Sequence, residues 1–310
     1  MVDLIEYKIP EWSLEMLLID KTTKRNILWA SNNYKKYGEG FFVDNEMKYS
    51  LIRNNNIKIQ PRINKNTVQQ KNRTKLMGEI FTPAWICNKQ NNLIDDSWFG
   101  YIGAFNVEEG SSWIPTDKVL FHNDNDWKKY VDEERIEIAC GEAPYLVSRY
   151  DSTTGLKINL NYRIGLLDRK FRVINENANT IDEWIKYAKI ALKRIYGFDY
   201  QGDNVFIARV NILMTFFDNY YCKYNVPIND DLLKEIIDII VWNIWQMDGT
   251  KFVIPNSCHK EYEIQLSFFD DELDDMCYGC KYNDYKRHNG EYCKIKDWKI
   301  NKVIKFVDLI

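Results

Sequence analysis

Residues 181–249 alternate between helical patterns and short apolar segments that contain a carboxylate near their end. Period and residue type predict helix 181–195, strand 196–200, helix 203–221, helix 232–240 and strand 241–249. The two predicted strands carry Asp199 and Asp248. Strands that alternate with helices predict an α/β fold, in which helices cover both faces of a parallel sheet.

An earlier segment, 135–147, has the character of the first unit of such a fold. A short strand with β-branched residues breaks at Cys140-Gly141, and a helical pattern starts near Tyr145. A strand that turns through glycine into a helix lets backbone N–H groups approach a ligand. One glycine is not a fingerprint, so an ordinary strand-to-helix connection is the alternative.

Bulk composition excludes several classes of protein. The 310 residues carry a net charge of −3, so the chain as a whole does not attract nucleic acid. The sequence shows no apolar run of about 18 residues and no signal-peptide pattern, so we expect no membrane association. The seven cysteines are an odd number and five of them are scattered or lie in strand-like segments, which favours a reduced, cytoplasmic protein.

The chain divides by composition into three predicted parts. Residues 1–70 are predicted to be a β-rich extension that includes a hairpin, with arms at 14–20 and 26–30. Residues 71–256 form the predicted main domain, although 152–180 read as an irregular insertion. Residues 257–310 are a Cys/His-containing segment. A basic stretch at 53–75 is either a phosphate contact or a solvated linker.

The segment Gly78-Glu79-Ile80-Phe81-Thr82-Pro83 precedes another helical pattern, which begins near Trp85. Pro83 fixes an extended turn, and the Thr82 hydroxyl can form a hydrogen bond from a rigid backbone. Read alone, an ordinary helix start explains the segment.

Three motifs in this order resemble those of the N6-adenine DNA methyltransferases of restriction–modification systems, in particular the proteins called "restriction endonuclease subunit M". Residues 78–83 resemble the G-E-x-F-T-P motif, 137–146 resemble E-P-x-C-G-x-G-x-F-L, and 196–211 resemble Y-G-x-E followed by A-R-x-N. Residues 246–249 occupy the place of that family's G-D-x-L stretch. The similarity is strong over about residues 75–255.

The resemblance implies a Rossmann-like domain that binds S-adenosylmethionine. It implies that the methionine portion contacts the first two motifs, that the ribose contacts Asp199, and that the adenine lies near Asp248. The residues implied to bind the cofactor are Phe81, Thr82, Pro83, Glu137, Cys140, Gly141, Asp199 and Asp248.

Departures from the family pattern limit what the resemblance implies. Ala143 replaces a glycine, Ile138 replaces a proline and Met247 replaces a glycine. No two of the seven prolines are adjacent, so the catalytic tetrapeptide [D/N/S]-P-P-[Y/F], which holds the flipped adenine, is missing. Catalytic residues therefore stay unknown.

Two functions remain open. In the first, the chain is the cofactor-binding subunit of a split adenine-specific DNA methyltransferase in restriction–modification or phage defence. A second protein chain would then supply the tetrapeptide and the DNA target-recognition domain. In the second, the chain is a catalytically inactive DNA-binding or assembly subunit. A nuclease is disfavoured, because no lysine suitably follows Glu263-Ile264-Gln265.

The C-terminal segment contains a possible metal site. Cys277, Cys280, His288 and Cys293 form the pattern C-x2-C-x7-H-x4-C, which resembles a zinc knuckle with a stretched middle. Four protein ligands would make the site structural. The alternative is a set of reduced cysteines in a tyrosine-rich loop, and Cys258 is expected to be an ordinary core or loop thiol.

Overall fold

A computed structural model of the chain describes residues 9–260 and 276–310. The helices are α1 (Glu11–Leu18), α2 (Tyr49–Asn54), α3 (Thr67–Met77), α4 (Ala84–Phe99), α5 (Asp126–Asp132), α6 (Leu166–Asn177), α7 (Ile181–Lys193), α8 (Gly202–Tyr224), α9 (Asp230–Asn243) and α10 (Tyr278–Tyr282). The strands are β1 (Asn106–Glu109), β2 (Ser112–Pro115), β3 (Arg135–Glu137), β4 (Ile195–Asp199), β5 (Ile244–Gln246), β6 (Lys294–Asp297) and β7 (Lys302–Lys305). Helices and strands therefore mix along the chain, as the sequence predicted.

A parallel three-stranded sheet organises the main domain. Its strand order is β3–β4–β5, and the register pairs Ile136 with Tyr196 and Phe198 with Trp245. Helices α6 and α7 connect β3 to β4, whereas α8 and α9 connect β4 to β5. Parallel neighbours need such crossovers, so the α/β class is confirmed.

The two faces of the sheet are covered differently. Ile195 and Ile244 pack into the main hydrophobic core together with the helices. Phe198 and Trp245, on the opposite face, pack into a second cluster with Phe306 and residues of the hairpin β6–β7. The expectation of helices on both faces is therefore wrong, because the C-terminal segment supplies the second layer.

Helix α8 lies at the centre of the main core. Its Arg209 is fully buried, and burial lowers the pKa of the guanidinium to about 10. The side chain donates hydrogen bonds to the carbonyl oxygens of Leu17 and Ile19, at 2.6 and 2.9 Å, and of Ile244, at 2.7 Å. This cation therefore joins the C-terminal ends of α1 and α9, which carry partial negative charge.

The prediction of a β-rich N-terminal extension is wrong. Its main elements among the described residues are the helices α1, α2 and α3, and only isolated bridges, such as Ile19 with Asn26, mark the predicted hairpin. Leu14, Leu17 and Leu18 follow helical spacing and pack into the main core. The division into three parts stays a prediction, since the first part shares this core.

The basic stretch at 53–75 is partly buried, so it is not simply a solvated linker. Arg73 donates two hydrogen bonds of 2.6 Å to Glu79 and one of 2.8 Å to Asp203. Lys65 donates to the same Asp203 oxygen at 3.0 Å. Burial alone would raise the pKa of Asp203, but Lys65 and Arg73 hold it well below its ordinary value. These ion pairs fasten α3 to the start of α8.

Two further predictions between β3 and β4 are wrong. Residues 145–147 are not helical: 144–146 form a turn, and the first α-helix after β3 is α6, which starts at Leu166. The backbone N–H groups of Leu166 and Leu167 donate to the carbonyl oxygens of Tyr145 and Leu146, which joins the helix to that turn. The region 152–180 consequently contains a helix and is not wholly irregular.

Replacement of Arg73 tests the role of the buried ion pairs. We expect Arg73→Met to lower the free energy of unfolding by about 3–5 kcal/mol, because two buried carboxylates lose a charged partner. Urea denaturation measures the change. Arg53→Met is the matched control: Arg53 pairs with Glu11 on the surface, so its loss costs about 1 kcal/mol or less. Equal losses in the two variants would contradict this account.

Candidate functional site

A cleft of about 860 Å³ opens at the carboxyl ends of the three parallel strands. Residues 78–82, 136–141, 198–201 and 247–250 line most of its wall. Its volume falls in the range of roughly 300–1,000 Å³ that is typical of small-molecule sites. Ligands of open α/β sheets bind outside this same edge. The cleft is therefore the best candidate for a binding site.

The turn after β3 forms the floor of the cleft. Ala139, Gly141 and Ala143 all have left-handed backbone conformations, with φ of 50°, 54° and 65°. The Cys140 N–H donates to the Phe198 carbonyl oxygen at 2.8 Å and fixes the turn against β4. Ala143 thus has a backbone conformation that glycine favours.

Glycine suits position 141 for two reasons. A side chain there would be strained by the positive φ, and its Cβ would lie 3.0 Å from Cε1 of Phe81. Phe81 is buried, and the guanidinium of Arg62 lies 5.5 Å from the centroid of its ring. The Phe81 ring therefore forms a fixed wall beside the glycine turn.

Asp199 joins the turn after β3 to the start of α8. One carboxylate oxygen accepts from the Gly141 N–H at 2.9 Å, and the other accepts from the Gln201 N–H at 2.8 Å and from the Asn204 amide at 3.3 Å. Burial raises the pKa of Asp199 to about 6, although these hydrogen bonds oppose the shift. A carboxylate has about four acceptor positions, so one stays available to a ligand.

Glu137 acts differently from Asp199. It is buried and accepts hydrogen bonds from the backbone N–H groups of Tyr145, at 3.3 Å, and Leu146, at 3.2 Å. Burial raises its pKa to about 8, against the effect of these two hydrogen bonds. Glu137 lines the cleft and also holds the turn 140–146 in place.

The segment 81–83 reaches the cleft only in part. Phe81 and Thr82 line it, whereas Pro83 is not among the lining residues and precedes α4. Ser152 donates to the Thr82 carbonyl oxygen at 2.8 Å, and Asp151 accepts from the Ala84 N–H at 2.7 Å. The loop at 151–152 therefore fixes this segment and caps the helix.

Asp248 lies at the rim of the cleft, beyond β5. One of its oxygens accepts from the Thr250 N–H at 3.0 Å and from the Thr250 hydroxyl at 2.7 Å. These bonds stabilise a tight turn at residues 248–251. The structure thus brings together seven of the eight residues expected to bind a cofactor: Phe81, Thr82, Glu137, Cys140, Gly141, Asp199 and Asp248.

Polar residues that the sequence did not single out also line the cleft. Gln201 Oε1 and Asn91 Oδ1 are buried atoms with no hydrogen-bond partner. A buried acceptor without a partner is costly, so these two atoms suit a ligand that donates hydrogen bonds. Gln201 follows Asp199 closely in the sequence, but nothing in the pattern of α4 marks Asn91.

A second cluster of functional side chains lies in the C-terminal segment. The ligand atoms of Cys258, Cys277, Cys280 and His288 all lie within 4.8 Å of one another, and such a group could hold a metal ion. The prediction of Cys293 as the fourth ligand is wrong. Its buried thiol instead donates to the Gln246 carbonyl oxygen at 3.4 Å. Cys258 takes its place.

No protein-family model, curated protein or solved structure matches this chain. Among the described residues, no helix is long and apolar enough to cross a membrane.

Substitution of Glu137 tests the protonation of the cleft. The folded-state pKa of about 8 exceeds the ordinary value of 4.5, so the folded chain keeps a proton that the unfolded chain releases. The resulting stability is complete below about pH 4.5 and is lost as the pH rises through about 8. Between pH 5 and 8.5 we expect the free energy of unfolding of the native chain to fall relative to Glu137→Gln, by on the order of 3 kcal/mol. Urea denaturation across this range is the measurement, and parallel curves would contradict the prediction.

Proposed function

We propose that the cleft binds S-adenosylmethionine and that the chain is the cofactor-binding subunit of a split adenine-N6 DNA methyltransferase. The observation that carries the proposal is the position of Asp199, at the end of β4 and beside the Gly141 turn. The resemblance of three ordered motifs selects this cofactor among adenosine-containing ligands. The finer fold proposed is a Rossmann-like methyltransferase domain.

The residues that line the cleft fit the chemistry of that cofactor. The free acceptor position of Asp199 suits a ribose hydroxyl, since a hydroxyl donates well to a carboxylate. Gln201 Oε1 and Asn91 Oδ1 suit further donors of the ligand, such as an amino group. The carboxylates at 199 and 248 favour a cationic ligand over an anionic one, whereas Glu137 keeps its proton up to about pH 8 and adds no negative charge at neutral pH. The cofactor, when bound, would supply a methyl group on a positively charged sulfur.

The acceptor base would be held by a second chain. The sequence lacks the proline-proline tetrapeptide, and the described sheet leaves the outer edge of β3 without a neighbouring strand. Arg135 donates its N–H to Arg194 on the β4 side, so the backbone groups of Ile136 point to the open edge. Ile136 and Ile138 are 47% and 71% exposed there. An open apolar edge is a ready surface for a partner.

A catalytically inactive DNA-binding or assembly subunit is the second candidate. The missing tetrapeptide favours it, as does the alanine at position 143. An inactive subunit that binds no cofactor is less well supported, because the chain has a cleft whose lining includes polar atoms without hydrogen-bond partners. Binding of S-adenosylmethionine separates the two functions.

Titration calorimetry of the full chain with S-adenosylmethionine tests the proposal. We expect binding in the micromolar range, and at least tenfold weaker binding, about 1.4 kcal/mol, for Asp199→Asn. Asp168→Asn is the matched control, because Asp168 is also a buried carboxylate with a raised pKa but lies outside the cleft lining. A folded native chain that gives no binding heat would support the inactive subunit instead.

A methyl group at position 141 gives a separate prediction. Gly141→Ala should weaken S-adenosylmethionine binding about tenfold or more, because the new Cβ would lie 3.0 Å from the Phe81 ring that lines the cleft, which must then shift, and would strain the turn. Gly110→Ala serves as the control for backbone strain, since Gly110 also has a positive φ but lies in a surface hairpin with open space around it. Calorimetry measures both variants, and equal affinities would contradict the proposed location of the ligand.

A further inference from the structure

The atoms of the Cys/His cluster converge on one ring nitrogen. Nδ1 of His288 lies 3.7 Å from the sulfur of Cys258, 3.6 Å from that of Cys277 and 3.6 Å from that of Cys280. A ring nitrogen carries either one proton or one lone pair, so hydrogen bonding accounts for one of these contacts and not for three. None of the three cysteines forms a disulfide.

A tetrahedral metal ion explains the spacing. Zn–S bonds of about 2.3 Å and Zn–N bonds of about 2.1 Å, at the tetrahedral angle, separate sulfur from nitrogen by about 3.6 Å. The three sulfur–nitrogen distances in the cluster agree with this value. Three thiolates and one imidazole form a soft donor set that suits Zn²⁺, and four protein ligands leave no position for water.

The surrounding backbone is built closely around these four side chains. A Cβ on Gly279 would lie 2.7 Å from both the backbone N and the Nδ1 of His288. A Cβ on Gly290 would lie 3.0 Å from the backbone N and from the sulfur of Cys258. The Tyr292 hydroxyl accepts from the His288 N–H at 2.8 Å. The backbone at Gly279 and Gly290 therefore packs too closely against the cluster to leave room for a Cβ.

The cluster is connected to the rim of the cleft by backbone hydrogen bonds. Val253 forms bridges with both Asp248 and Tyr292, and the Cys293 N–H donates to the Phe252 carbonyl oxygen at 3.0 Å. The Ile254 N–H donates to Glu291 at 2.8 Å. The turn that carries Asp248 is thus held by the same segments that carry Cys258 and His288.

We propose that Cys258, Cys277, Cys280 and His288 bind one Zn²⁺ ion and that this ion fixes the turn at residues 248–253 beside the cleft. The inference does not depend on the cofactor, because it concerns a different site with its own readout. Without the metal, three thiols and an imidazole lose their common partner, and the loops that carry them lose their anchor.

Metal analysis of the full chain tests the ligand set. We expect one zinc per purified chain, and less than a tenth of that in Cys258→Ser. Cys293→Ser and Cys222→Ser should both keep the metal, because Cys293 contacts a carbonyl oxygen and Cys222 is exposed. Zinc that survives Cys258→Ser and is lost in Cys293→Ser would overturn the assignment, as would a native chain that binds no zinc when zinc is supplied.

Cobalt substitution keeps the test decisive if Cys258→Ser does not fold. The native chain loaded with Co²⁺ in place of zinc should show the visible absorption of a tetrahedral ion and the ultraviolet absorption of cobalt–thiolate bonds. An octahedral spectrum without thiolate bands would overturn the proposal.

Proteolysis tests the effect on the turn. Lys251 is partly exposed in the turn beside Asp248, so trypsin should cleave after it at least tenfold faster when zinc is removed from the native chain. Cleavage after Lys118, which is exposed and distant along the chain, gives the control rate. Equal acceleration at both sites, or no change at Lys251, would show that zinc does not fix this turn.

Discussion

The carboxylate of Asp199 is the contact on which the cleft depends. It receives the N–H of Gly141 from the turn after β3 and the N–H of Gln201 from the start of α8. Parallel strands bring these two segments to the same edge, but backbone N–H groups that point into a buried space need an acceptor. One side chain supplies it for both. Asp199, which is well placed to bind a ligand, therefore also joins the turn after β3 to the start of α8 at this edge of the sheet.

The neighbouring ion pairs extend this arrangement into the N-terminal part of the chain. Asn204 contacts Asp199 and donates to Glu79 at 2.9 Å, and Glu79 pairs with Arg73. The wall of the cleft at 78–82 is therefore held by charges that lie beneath it. Arg209, on another face of α8, also joins distant segments, because it donates hydrogen bonds to the carbonyl oxygens of Ile244 and Leu17. Buried cations thus tie together segments that are distant in sequence.

Much of the α/β domain could be predicted from the periodicity of its apolar residues. Some helices were missed, because their buried positions hold polar residues or do not show a helical period. Helix α6 carries Asp168, Arg169 and Lys170 near its start, and all three are buried, so its core face does not read as apolar. In α1, Leu14, Met16 and Leu18 alternate like a strand, yet packing against α9 selects the helix. The structure of these two segments depends on residues that are distant in sequence, and a local sequence pattern carries no information about them.

The metal ligands, too, could be predicted only in part from local sequence. The short spacing of Cys277 and Cys280 marked half of the cluster, and His288 completed a recognisable pattern. Cys258 lies far upstream and enters only because the loop near Gly290 packs against it. Cys293 has the better sequence spacing but points into the second core. Spacing identifies ligands that share one loop and misses ligands that the fold brings in from elsewhere.

The central claim is that a ligand lies across the strand ends between Phe81 and Asp199. Hydrogen exchange of the full chain, measured by mass spectrometry with and without saturating S-adenosylmethionine, tests it most directly. We expect slower exchange in peptides that cover 78–82, 139–146 and 199–204, with little change in β1 and β2. No protection in these three segments, or protection confined to other parts of the chain, would contradict it.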